Sequence, residues 1–384
     1  MPGAFLNRRR RPRRGEAQEA PNNPDLTVRE DVDHRDYPWG GFLMAASFNS
    51  QTIKKPSLRA QRGNLSPQWH QNLYKPQTHR NGFPNAMNQL ILKAVVRLLL
   101  SFVILITTQS QAQDNPQNAW TQNCEAWDDW DKAAPPYRVF ANTYYVGTCG
   151  ISAILVTGEQ GHVLIDGGTQ KGAKVIADNI RALGFSLTDV KLLLHSHEHF
   201  DHVAGIAWLK QQTGARVLAS EIARDVLATG VVNKSDPQHG MHEPFPAVES
   251  DGRVEEGTPI ELGELILNPI ATPGHSPGAL SWYWESCDAG HCMSIVYADS
   301  LSPVSSKVYR FSDHPAYVEA YRAGLAKLNP LDCDILLTPH PSASNMVERL
   351  NGGSLLGGMG CDDYALLIEA RLNDRLDAEK EESN

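Results

Sequence analysis

The chain has 384 residues, enough for one large domain or two small ones with tails. Its charge is divided. Residues 1–112 carry 16 Lys and Arg against 7 Asp and Glu, and the remainder carries 19 against 37, a net −18. An acidic globular part excludes phosphate-backbone binding as its main business, so nucleic acid is not an expected partner.

Residues 1–86 are rich in Arg, Asn, Gln and Pro with isolated apolar residues, too few to offset the entropy of ordering a chain. The run Arg8 to Arg11, with Arg13 and Arg14, reads as an interaction tail that nothing else supports as a nucleic-acid site. Met87 to Arg97 is a short basic region, Leu98 to Ile106 an apolar run, and Thr107 to Ala112 a small-residue exit. Those are the three parts of a secretory signal peptide. The apolar run is short for a bilayer, and Arg97 interrupts any longer version. The reading is therefore a signal peptide over 87–112 cleaved after Ala112, and a mature domain over 113–384 in the periplasm without a membrane anchor. Residues 1–86 are either an over-extended start before Met87 or a cytosolic tail.

The mature part holds Cys124, Cys149, Cys287, Cys292, Cys333 and Cys361, an even number that suits disulfides in an oxidising space. Connectivity stays open. Cys287 and Cys292 can close locally, while Cys124 with Cys149 or Cys333 with Cys361 would close loops of roughly 25–30 residues, each contributing about 3–4 kcal/mol. A metal knuckle at Cys287–Cys292 lacks a second such pair beside it.

In chain order, 113–136 reads as an extended entry segment. Strands are expected at Val139 to Val146, Ile151 to Thr157 and His162 to Ile165, then a helix over Lys171 to Leu183 that stops at Gly184. Val190 to Leu194 reads as a buried strand and Val203 to Gln212 as a helix. A strand at Arg216 to Ala219 and a helix at Glu221 to Leu227 precede a long loop without periodicity, Gly230 to Pro246. Strands follow at Pro259 to Leu267, Leu280 to Trp284 and Met293 to Tyr297, then a helix at Tyr317 to Lys327, a strand at Asp334 to Leu337 and a helix at Asp362 to Leu376. Leu280, Trp282 and Trp284 alternate with polar neighbours, as in a half-buried strand with its tryptophans in the core. Strands then helices, twice over, predict two halves packed sheet to sheet with helices outside, an α/β sandwich.

Between that buried strand and helix lies Leu194 to His202, with four imidazoles and two carboxylates in nine residues. Imidazole nitrogens with an aspartate oxygen suit zinc, and a strand-to-helix turn presents them to a cleft. His275, in the Gly/Pro turn Thr272 to Gly278, and His340, in Leu337 to Ser342, fall where the architecture can bring them back. His195 reads as a packed histidine and Glu198 as pointing to solvent or an arginine. Asp166 would orient a ligand or the turn rather than bind metal.

HxHxDH at His197 to His202 occurs with NTYYVGT at 142–148, LIDGG at 164–168, TPGHSPG, YADSLSP at 297–303 and CDILLTPHP at 333–341. Together these resemble the metallo-β-lactamase superfamily and its αββα sandwich over roughly residues 120–378, most of all subclass three of the class B β-lactamases. By that resemblance, His197, His199 and His275 would hold a first zinc, and Asp201, His202 and His340 a second. A metal-bound hydroxide oriented by Asp201 would attack the lactam carbonyl of penicillins, cephalosporins and carbapenems. Ser300 and Ser302 would hold the substrate carboxylate from one side of an extended segment, with Tyr145 and Gln238 lining the cleft. A monomer acting on a small-molecule β-lactam is expected. The alternatives are a thioesterase, lactonase or phosphodiesterase on the same scaffold, using Asp299 as a bridging ligand, or a zinc-bearing protein without turnover, from which lost ligands would be expected.

Overall fold

The computed structural model describes residues 116–382. The Arg-rich front segment, the expected signal peptide and its cleavage site lie outside the described residues.

Two sheets stack face to face. The first has seven strands in sequence order: β1 (Tyr137–Phe140), β2 (Thr143–Tyr145), β3 (Ile154–Gly158), β4 (Gly161–Ile165), β5 (Val190–Leu194), β6 (Arg216–Ala219) and β7 (Gly252–Arg253). β1 to β4 form an antiparallel meander, and β4 to β7 run parallel. The second sheet pairs β8 (Ile260–Leu262), β9 (Leu265–Ala271), β10 (Leu280–Asp288) and β11 (His291–Tyr297) antiparallel, with β12 (Ile335–Leu337) parallel to β11.

Side-chain alternation assigns the layers. Tyr145, Ile154, Val163 and Leu194 from the first sheet meet Leu267, Trp282, Trp284 and Ile295 from the second in one apolar core. On the outer face of the first sheet, Leu164 and Leu193 pack under α2 (Gly172–Ala182), α4 (Ile206–Thr213) and α5 (Glu221–Thr229), the last two following the four-residue α3 (Phe200–Val203). Val296 and Leu336 on the other outer face pack under α6 (Pro315–Leu328) and α8 (Cys361–Glu381), with α7 (Met346–Asn351) between them in sequence. β5 is buried on both faces, which is why it reads as an unbroken apolar run apart from Lys191.

Departures from the expected elements have local causes. Val139 to Val146 is a hairpin rather than one strand, because Ala141 takes a left-handed φ of 45° and shifts the register between Arg138 and Phe140. Pro259 to Leu267 breaks at Gly263, φ 61°. The entry segment is not wholly extended: α1 (Pro116–Asn123) buries Trp120 completely, edge-on to Tyr137 and Tyr145. α7 also went unpredicted; the buried Arg349 guanidinium satisfies the Leu336 and Leu355 carbonyls. The six cysteines join as Cys124–Cys149, Cys287–Cys292 and Cys333–Cys361. Cys287 and Cys292 face each other across the β10–β11 hairpin.

Candidate metal centre

The strands β5, β9, β11 and β12 all end where histidines or acids begin. After Leu194 the chain turns through His195 to His199 into α3, and past Gly205 into α4. A Cβ on Gly205 would fall 2.2 Å from the Gly167 carbonyl oxygen, so the helix start can approach the turn after β4 this closely only at a glycine. Gly205 N donates to Gly168 O at 3.0 Å instead of to the carbonyl four residues back, which splits the expected helix Val203 to Gln212. Leu280 donates its N–H to Ser196 O at 2.6 Å and Ser152 to Pro339 O at 2.7 Å, tying both sheets' loops together.

The loops bring His197, His199 and His275 into one buried group, and Asp201 and His202 into a second with His197. His199 Nδ1 lies 3.3 Å from His275 Nε2. His340 Nε2 lies 3.4 Å from His202 Nε2 and 3.3 Å from Asp201 Oδ2. The ring nitrogens facing away from the cluster each lie near an oxygen, and His197 Nδ1 is also 3.1 Å from Ser196 Oγ, but His202 Nδ1 and Asp299 Oδ1 make no hydrogen bond among the described residues. His197 Nδ1 is 2.8 Å from Asp299 Oδ1, and His199 Nε2 is 3.0 Å from Asp236 Oδ2. His275 Nδ1 is 2.9 Å from Ser302 O, and His202 Nδ1 is 3.4 Å from Asp166 Oδ2.

A neutral imidazole that donates outward presents a lone pair inward. The outward acceptors therefore aim the lone pairs of His197 Nε2, His199 Nδ1 and His275 Nε2 at one small volume. His199 Nδ1 and His275 Nε2 face each other at 3.3 Å, where they hydrogen-bond only if one ring gives up its inward lone pair, and His197 Nε2 is buried without a hydrogen-bond partner among the described residues. A cation with a taste for nitrogen would satisfy all three, so the residues present fit a metal of the zinc type.

Electrostatics agree for part of the set. Burial, with the neighbouring imidazoles, holds His197 and His275 well below the usual histidine range, keeping them neutral as ligands must be. Burial also lowers His202, but Asp201 and Asp166 outweigh it and push it up to about 10, a proton that a bound cation would displace. Asp299 is pushed up to about 8, first by burial.

Several expectations need correction. Tyr145 does not line a cleft: it is fully buried, stacked on Tyr137, with its hydroxyl donating to Thr148 O and Ile151 O. Glu198 does not face solvent or an arginine; it is fully buried and accepts from Ser276 Oγ and Gly278 N, both at 2.7 Å. Ser300 and Ser302 do not share a face of an extended segment, since Leu301 between them has a φ of 48°. The Ser300 hydroxyl is buried without a partner among the described residues, and the Ser302 hydroxyl sits 3.4 Å from His275 Nδ1. The Gln238 amide lies 3.1 Å from His275 Nε2. His195 is packed as expected, accepting from Ser220 N, with burial lowering its pKa to about 4. Asp166 accepts from Ser196 N, Ser196 Oγ and Tyr297 Oη, fixing the turn.

Sequence reasoning missed Asp236, fully buried behind His199. It lies in the loop Gly230 to Pro246, and only its Asp-Pro-Gln context hints at a fixed turn. It also missed Trp130, whose ring centroid is 6.3 Å from that of His340.

Residues 146–340 match the family model of the metallo-beta-lactamase superfamily, and the chain belongs to that superfamily. Among solved structures it is similar to the MIM-2 metallo-beta-lactamase, at 55% identity and a TM-score of 0.66, covering 69% of this chain and 98% of that one. It is also similar to MEM-A1, a subclass B3 metallo-beta-lactamase isolated from a soil metagenome library, at 41% identity and a TM-score of 0.63, covering 66% and 100%. The αββα sandwich and the subclass-three likeness expected from the sequence both hold. A hydroxyacylglutathione hydrolase of Bradyrhizobium sp. (strain ORS 278) is 30% identical over 135 residues, 35% of this chain. The chain spans 44% of that relative's length.

Proposed function

We propose that the chain is an exported β-lactamase holding two zinc ions, the first on His197, His199 and His275 and the second on Asp201, His202 and His340. The observation that carries the substrate class is the direction of Asp299. A thioesterase or lactonase of this scaffold would turn that carboxylate into the donor set as a bridge; here its Oδ1 is 2.8 Å from His197 Nδ1, and Asp299 joins neither histidine group able to hold a metal among the described residues. The 55% identity to MIM-2 across 98% of that enzyme supports the same reading.

When bound, zinc would supply a Lewis acid and lower the pKa of water to about 7. The protein's own residues do the rest. Asp236 and the Ser302 carbonyl hold His199 and His275 in the tautomer that leaves the inward nitrogen free, while Ser196 Oγ and Asp299 flank His197 Nδ1. Asp201 Oδ2, within 3.0 Å of His202 Nε2, is the acceptor able to orient the attacking water. The unpartnered Ser300 hydroxyl, with Ser302, would receive the carboxylate that sits beside the scissile ring of most β-lactams.

The test is turnover of nitrocefin and imipenem by purified protein. Chelation should abolish it, zinc should restore it, and Asp201→Ala should lower kcat sharply with loss of one metal. Ser300→Ala or Ser302→Ala alone should reduce kcat/KM roughly tenfold for a carboxylate-bearing lactam, the size of about 1–1.5 kcal/mol of hydrogen bonding, and the double variant should lose more. If the double serine variant is unimpaired while Asp299→Ala strips a zinc, the bridging reading is right and an ester or thioester is the substrate.

A further inference from the structure

Glu198 sits inside the metal-binding motif, between two proposed ligands, yet faces neither of their donor nitrogens. Its two carboxylate oxygens reach across to the turn after β9: Oε2 accepts from Ser276 Oγ and Oε1 from Gly278 N, each at 2.7 Å. These contacts span 78 and 80 positions and are buried. That turn carries His275, one residue before Ser276. The approach is close enough that a Cβ on Gly278 would stand 2.7 Å from Glu198 Oε2.

Resting on the two-zinc reading, we propose that Glu198 is a positioning residue that lashes the His275 turn to the His197–His199 turn and so sets the geometry of the three-imidazole site. The His275 ring meets the Ser302 carbonyl and hydroxyl, Gln238 and His199, and the turn's backbone is also held at Gly274 O by Tyr317 and at Gly278 O by Ser220, but Glu198 is the side chain that joins it to the HxHxDH turn from within the motif. Two short hydrogen bonds to one rigid carboxylate fix the backbone on the C-terminal side of His275. Without them, its Nε2 loses its set distance to His199 Nδ1, and the preorganisation of the site goes with it. Position, not charge, is what Glu198 supplies. Gln can accept from Gly278 N through its carbonyl and donate to Ser276 Oγ through its amide, preserving both links.

The measurement is zinc affinity by chelator competition, with cobalt(II) absorption as a second report on site geometry. Folding is checked by circular dichroism in chelator. Glu198→Ala should weaken binding at the three-imidazole site by about tenfold or more, Ser276→Ala by less, and Glu198→Gln should stay within about threefold of the parent while keeping its cobalt spectrum. Should Glu198→Ala fail to fold, Ser276→Ala, which removes one link only, decides. Unchanged affinity in folded Glu198→Ala or Ser276→Ala, or a Gln variant as weak as the Ala one, overturns the lash. A parent protein that binds no zinc overturns the metal reading and this proposal with it, whereas a zinc-binding parent inert toward β-lactams overturns only the substrate.

Discussion

Beside three of the buried histidines stands a carboxylate from outside the HxHxDH motif. Asp299, Asp236 and Asp166 each sit beside the outward nitrogen of a different histidine. Removing one frees a ring to flip or to change tautomer. Asp236→Ala should therefore lower zinc affinity by about 10–100-fold while leaving the fold intact, as read by chelator competition beside thermal melting. An unchanged affinity would mean that the Asp236 contact merely braces its loop through Gln238 N, which it also accepts from at 2.7 Å. The proposed donors stand out in the sequence because four of them crowd one turn and the other two sit in Gly/Pro or Thr/Pro turns at strand ends. Asp236 does not, since nothing periodic positions its loop. Glu198 was misjudged for a different reason: alternation along a turn does not say what a second sheet will place opposite it.

At the scale of elements, buried strands were easiest to read. β5 and β6 occupy the residues expected of them, Val190–Leu194 and Arg216–Ala219, each buried at all but one position. Hairpins were blurred into single strands, because one left-handed residue such as Ala141 leaves no mark in composition. α8 shows how an element end is fastened by charge. Glu379, 3% exposed, accepts from Phe311 N at 3.1 Å, Ser312 N at 2.8 Å and Arg375 Nε at 2.7 Å. Burial raises its pKa, but the hydrogen bonds from Ser312, Arg375 and Phe311 more than offset that and hold it below the usual 4.5. A carboxylate with a depressed folded pKa stabilises fully above its unfolded value, and that contribution fades as pH falls toward the folded one. The melting-temperature gap between the parent and Glu379→Gln should thus be widest near neutrality and narrow below about pH 4. A gap that stays constant down to pH 3 would show that the contacts hold equally well when protonated.

For the whole molecule, the strand-then-helix rhythm repeated twice was sufficient to foresee two sheets with helices outside. The same rhythm could not foresee that α1 closes one end of the core, because Trp120 lies in an otherwise polar segment. No helix among the described residues is long and apolar enough to cross a membrane, and three disulfides join all six cysteines. If residues 87–112 are an export signal, mature protein recovered from the periplasm should begin near Gln113 and expose no thiol when denatured without reductant. A folded product starting at Met1, or one with three or more free thiols, would refute export.

The proposed donor set is dealt out along the chain in instalments. His197 to His202 come first; His275 lies 76 positions beyond His199, and His340 lies 138 beyond His202. His340 follows β12, the edge strand that pairs with β11, so the set is complete only when the second sheet has its last member. By then just α7 and α8 remain to be laid down. Contacts across such separations form late and slowly during folding. A nascent or prematurely ended chain is thus a partial chelator at best, and a full complement of donors certifies that nearly the entire polypeptide has found its place.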